Sequence, residues 1–178
     1  MKNLFKLNLL AVILISIPAY ATDGLAVIDM RNAVFATQSS QDAFKALQES
    51  ADYAANVEQA QSLQAERQAT AENLQKNLET LSQAEIAKMQ KDIQDKGKDL
   101  EFLMGKLRQA EEETAQQVFA QQGPAMQKII SELIQAKQIK ILLQKNETLL
   151  FSDPALDLTD DVTSMLDVAA SEANTQAE

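Results

Sequence analysis

The chain of 178 residues has no cysteine, no histidine and no tryptophan. Without these residues no disulfide framework, Cys/His zinc site, thiol nucleophile or histidine base is available. Glycine (4), proline (3) and aromatic residues (4%) are also scarce, so few positions can break a helix. Positive charge is in deficit, with 16 Lys+Arg against 26 Asp+Glu and a net charge of −10. Affinity for nucleic acid comes from neutralising phosphates, so this balance argues against it. Alanine, glutamine, leucine, glutamate and lysine remain, the composition of long helices. No converging polar cluster and no phosphate-binding glycine loop stand out, which excludes the obvious enzyme classes.

Long apolar runs are missing too, apart from one at the start. Lys2 and Lys6 lead into Leu7–Ile17, and Pro18 then precedes Ala19-Tyr20-Ala21, the small-x-small form of a signal peptidase site. The run is about half the ~20 residues that a spanning helix requires. Residues 1–21 therefore read as a cleaved secretory signal, and the expected address is the periplasm. Cleavage removes two lysines and no acids, leaving 14 − 26 = −12.

The rest reads as a small body interrupted by a long insertion. Leu25–Met30 is a short apolar run that suits a buried strand. Ile139–Leu143 is a second, Asn146-Glu147-Thr148 a turn, and Leu149–Phe151 a third strand that would form a hairpin with the second. Asp153-Pro154 ends the pair, Leu158 to Val168 reads as a closing helix, and residues 169–178 as a disordered tail. The expected body is thus 22–39 with 124–168. Between its parts, 40–123 forms a helical-hairpin arm whose tip lies near 80–83.

Ser82-Gln83-Ala84-Glu85 marks that tip as a capping box opening the second helix. Each arm helix has about 40 residues, or ~60 Å at ~1.5 Å per residue. Ile86, Ile93, Leu100 and Leu107 recur every seven residues, with Met89 and Leu103 as partial second members. The facing seam, Tyr53, Val57, Ala60, Gln64, Arg67, Ala71, Leu74, Leu78 and Leu81, is half polar or small. Such residues bury little apolar area, so the arm should be thinly packed. Gly97 and Gly105 weaken the second helix further, by ~1 kcal/mol each relative to Ala. Gly123-Pro124 is expected to end the arm and open a body helix over Ala125–Lys137.

Strand, long helical hairpin, Ser-x-x-Glu tip, Pro-initiated helix and strand pair are followed by Leu149–Val162, with its Asp157-Leu158-Thr159-x-x-Val162 pattern. Together they resemble the OmpH/Skp family of periplasmic outer-membrane-protein chaperones, over about Gly24 to Val168. The resemblance implies a mainly α fold with a small β body. It also implies a homotrimer whose short strands build a β-barrel-like trimerisation domain, with three coiled-coil arms around a cavity. The implied function is an ATP-independent holdase for unfolded outer-membrane β-barrel proteins, with no enzymatic activity and no cofactor. The runner-up is a structural or scaffolding coiled-coil protein of the cell envelope that holds no clients. The family's best-known members are basic and this chain is acidic. Its distal arm, residues 76–108, is 7 − 6 = +1, leaving −13 elsewhere in the mature chain, so any membrane contact is expected to be weak and peripheral.

Within this frame the expected trimerisation core is Leu25, Val27, Ile28, Ile141, Leu143, Leu150 and Phe151, since so small a body cannot bury its own sheet. Met104, Val118, Phe119, Lys88 and Lys91 are the candidate client contacts. Glu111-Glu112-Glu113 points in three directions around a helix, so it reads as a solvated face and not a metal site. Asp153, Asp157, Asp160 and Asp161 lack calcium-loop spacing and read as acids opening a helix, with Asp157 or Thr159 as its cap.

Overall fold

A computed structural model describes residues 24–176; the expected signal segment lies outside them. Strand β1 (Leu25–Ile28) leads into a short helix α1 (Met30–Phe35), then α2 (Gln38–Glu49) and α3 (Ala51–Asn77). After a turn, α4 runs from Gln83 to Ala136, followed by β2 (Ile141–Gln144), a single 3-10 turn at Pro154–Leu156 and α5 (Thr159–Gln176). Among the described residues no helix is long and apolar enough to cross a membrane.

The sheet joins the two ends of the body. β1 and β2 pair in parallel, Leu25 with Ile141 and Ile28 with Gln144. On its other edge β1 meets the segment before α5, through a bridge of Val27 with Asp157 and a bond from Leu158 N–H to Val27 C=O of 2.9 Å. The strand entry needs glycine. Gly24 has φ +72, and a Cβ there would lie 2.7 Å from the Lys140 side chain and 2.9 Å from the Gln138 carbonyl.

Period 2 divides the sheet into two faces. Ile28 and Leu142 face the core, where Ile28 packs with Ala33, Val34, Val118, Ile129, Leu133, Val162 and Leu166. Leu25, Ile141 and Leu143 lie on the opposite face and stay exposed, at 39%, 55% and 40%. The expected strand ends two residues early, because Asp29 caps α1 by accepting the Asn32 N–H.

Four further expectations need correction. The first arm helix is not continuous: Ser50 is extended, with φ −66 and ψ 139, and separates α2 from α3. Its hydroxyl and N–H both donate to the Leu47 carbonyl, so this serine competes with the helical ladder. At the other end of the arm, Gly123-Pro124 does not break α4, which carries Pro124 in its interior. Val118 before the proline and Ile129 after it enter the same core, and that shared packing carries the helix through. No strand forms at Leu149–Phe151, although the Asn146 turn closes, with Leu149 N–H donating to Asn146 C=O at 3.0 Å. Among the described residues the outer edge of β2 stays unpaired, and the turn closes on itself, with the Thr148 N–H and hydroxyl both donating to the Asn146 side chain. Finally, α5 runs through Gln176, where a disordered tail was expected from 169.

Candidate functional site

The arm is an antiparallel pair. Tyr53 meets Glu111, Asn56 meets Lys106 and Thr70 meets Asp92, so rising numbers on α3 face falling numbers on α4. Ser82 closes the tip: its hydroxyl accepts the Glu85 N–H at 3.3 Å, while the Glu85 carboxylate accepts the Ser82 N–H at 2.8 Å. The bond from the Ser82 hydroxyl, joined by the backbone bond, holds the Glu85 carboxyl below its usual range.

Along the seam, only Ala60, Leu103 and Leu107 are buried. Val57, Leu74, Ile86, Met89, Ile93 and Leu100 are half-buried, while Gln64 and Arg67 are exposed. Polar groups hold the middle of the arm. Lys96 bonds Asp92 at 2.7 Å and lies 3.6 Å from Glu66 on the opposite helix. The Asp92 bond, with help from Glu66, raises the Lys96 pKa. Tyr53 donates to Glu111 at 2.6 Å, and this bond raises the phenol's pKa. All three glutamates of residues 111–113 are exposed, and no metal-holding group of acids occurs among the described residues.

The candidate client contacts fall into two sets. Met104 is 47% exposed, and Lys88 and Lys91 also face solvent. Val118 instead is buried in the body core, and Phe119 packs edge-on against Phe35 at 5.0 Å. These two are structural, because α4 enters the body before Pro124 and not after it. Sequence reasoning missed Phe102, which is 68% exposed with the Lys106 ammonium 5.8 Å from its ring. The signal was present: Phe102 falls off the seam defined by Leu100, Leu103 and Leu107.

The proposed trimerisation residues also divide. Val27 and Ile28 are buried within one chain. Leu25, Ile141 and Leu143 form the uncovered sheet face, and Leu150 and Phe151 are exposed at 96% and 83% on the loop that follows β2. The base of that loop is fixed. Lys145 N–H donates to Ile28 C=O at 2.7 Å, and the Lys145 ammonium bonds Asp157 at 2.8 Å. Partial burial pushes the Asp157 carboxyl up, but Lys145 and the two bonds from Thr159 outweigh it and hold its pKa low. The Asp157 bond raises that of Lys145.

The Asp157-Leu158-Thr159-x-x-Val162 pattern is where the chain's ends are tied. Asp157 accepts the Thr159 N–H at 3.0 Å and its hydroxyl proton, and the Thr159 oxygen accepts the Asp29 N–H at 2.9 Å, across 130 positions. Leu158 and Val162 are buried beside it. Where arm meets body, the Gln122 amide donates to Thr37, Ser39 and Ser40 at 2.9–3.0 Å. Thr37 and Ser40 are fully buried and both also donate to Val34 C=O.

The sequence model of the family of OmpH-like outer membrane proteins matches residues 24–166. No curated protein matches the chain. A solved structure of an OmpH-like protein from Caulobacter crescentus CB15, named as a candidate outer membrane chaperone, is 23% identical, with 82% of this chain and 85% of that one covered and a TM-score of 0.46.

Proposed function

Because the chain belongs to the OmpH-like outer membrane protein family, we propose that it is an ATP-independent periplasmic chaperone. It would act as a homotrimer that holds unfolded outer-membrane β-barrel proteins between its arms. The observation that carries this proposal is the exposed apolar surface of the body: among the described residues of one chain Leu25, Ile141 and Leu143 stay partly uncovered and Leu150 and Phe151 almost wholly so. Exposed apolar clusters of this kind mark association sites. Covering them with two further copies would let Leu149–Phe151 meet a strand of a neighbouring copy and would set three arms around one axis.

Holding would be steric and multivalent. The arm offers isolated apolar contacts, Phe102 and Met104, among solvated lysines and acids. Each contact is weak, and many of them around one enclosed chain add through effective concentration. No nucleotide or chemical step enters this mechanism. Export through Ala19-Tyr20-Ala21 would place the protein where such clients pass.

The test is the light-scattering mass of the mature chain, alone and after a urea-unfolded porin is diluted into it. We expect a trimer that gains the mass of one client in a soluble complex. A monomer would overturn the assembly, and a trimer that leaves the porin to aggregate would leave an envelope scaffold as the better account.

A further inference from the structure

A second exposed surface of the body lies between α4 and α5. α5 packs back along the end of α4. Lys137, just past the end of α4, bonds Asp161 in the first turn of α5 at 2.8 Å, so the two helices run antiparallel. Between them is an open groove of about 330 Å³. Its floor is Ala125 and Ile129 from α4, with Met165, Val168 and Ala169 from α5. Val168 is 58% exposed. The groove shares no residue with the uncovered sheet face. Val168, Ala169 and Glu172 also lie past residue 166, where the family match ends.

Each wall follows one helical row. On α4 the row ends at Glu132, and on α5 at Glu172. Because the helices are antiparallel, these two glutamates mark opposite ends of the groove. The rows span seven residues, or ~10 Å. The one cation in the lining, Lys128, lies 3.9 Å from Glu132, in an exposed pair worth little. α5 itself carries four acids and no basic residue. Two helices with an apolar trough between them, closed at each end by a carboxylate, are complementary to a third helix of defined character.

We infer that this groove docks a cationic amphipathic helix of a partner protein. The helix would set apolar side chains at i+3 and i+4 into the trough, and lysines or arginines at i and i+7 against Glu132 and Glu172. The partner is a folded or folding helix of positive charge, and the contact is separate from client holding by the arms.

A labelled peptide of about three helical turns with that pattern, titrated into the full mature protein and followed by fluorescence anisotropy, tests the assignment. A scrambled peptide of the same composition keeps the charge and loses the apolar face. We expect the patterned peptide to bind at least about tenfold tighter than the scrambled one, a difference of ~1.4 kcal/mol. Val168→Lys should remove that advantage; Val168 is exposed, so the fold survives, as circular dichroism would verify. Equal binding of the two peptides, or binding indifferent to Val168→Lys, overturns the inference. So does loss of porin holding in Val168→Lys, which would make the groove a client site, or a change in its assembly mass, which would make the occupant a second copy.

Discussion

The body and the arm are built from the same few residue types, yet they use them to opposite ends. In the body, Ala33, Val34 and Val162 are completely covered, and elements 130 positions apart are tied by a threonine hydroxyl. In the arm, two long helices lie side by side with most of their seam half open and with Lys96, Asp92 and Glu66 standing where apolar side chains could have been. Close packing fixes one arrangement. A seam of alanine, glutamine and ion pairs keeps two helices together without fixing them tightly, and leaves stability to the body.

That contrast can be broken most directly in the cores. Ile28→Ala should lower stability by about 3–4 kcal/mol, whereas Leu103→Ala, in the best-covered part of the arm, should cost about 2 kcal/mol, the low end for such truncations. Urea unfolding at one protein concentration measures both, and equal losses would erase the distinction.

A smaller effect separates the regions by pH. The Asp157 carboxyl is held low in the folded body, so its contribution is present above the ordinary carboxylate pKa of ~3.9 and is lost as pH falls through the folded value. Lys145, raised by the same bond, contributes below its unfolded pKa and loses that contribution as pH rises through the folded one. Asp157→Asn should therefore narrow the difference in melting temperature between pH 7 and pH 3. An unchanged difference would move the acid sensitivity to the carboxylates of the arm.

The smallest change sharpens the comparison from the arm's side. A Cβ at Gly105 meets nothing within 4 Å, and one at Gly97 only the Arg67 side chain at 3.7 Å. Gly105→Ala should stabilise the arm by about 0.5–1 kcal/mol, seen as a higher melting temperature. If porin holding weakens as stability rises, the arm's looseness is used; if holding is unchanged, the glycine is only a tolerated weakness.

Much of this architecture was legible because its signals are local or periodic. The capping box at Ser82 and Glu85 names the hairpin tip by itself, and the heptad of Ile86, Ile93, Leu100 and Leu107 names the face. The errors lie where distant packing decides. Pro124 is a helix breaker in isolation, but Val118 and Ile129 hold both sides of it to one core. Ser50 looks like one more polar residue in a helical run until its hydroxyl turns to Leu47. Leu149–Phe151 has the composition of a strand, but the Asn146 turn before it closes on its own bonds and the segment does not fold back onto β2. The division of the proposed assembly residues into buried Val27 and Ile28 and exposed Leu25, Ile141 and Leu143 follows from sheet partners that no local pattern announces.

The pairing of Leu25 with Ile141 spans 141 − 25 = 116 positions, and the arm occupies most of that interval. The hairpin departs from the body and returns to it at nearly the same place, so the sheet registers where the excursion begins and ends and not how far it goes. Matched insertions or deletions of seven residues in α3 and α4 would keep every seam residue on its face and move the tip by ~10 Å. Reach is thereby an independent variable in this design, adjustable in steps while the body that anchors it stays the same.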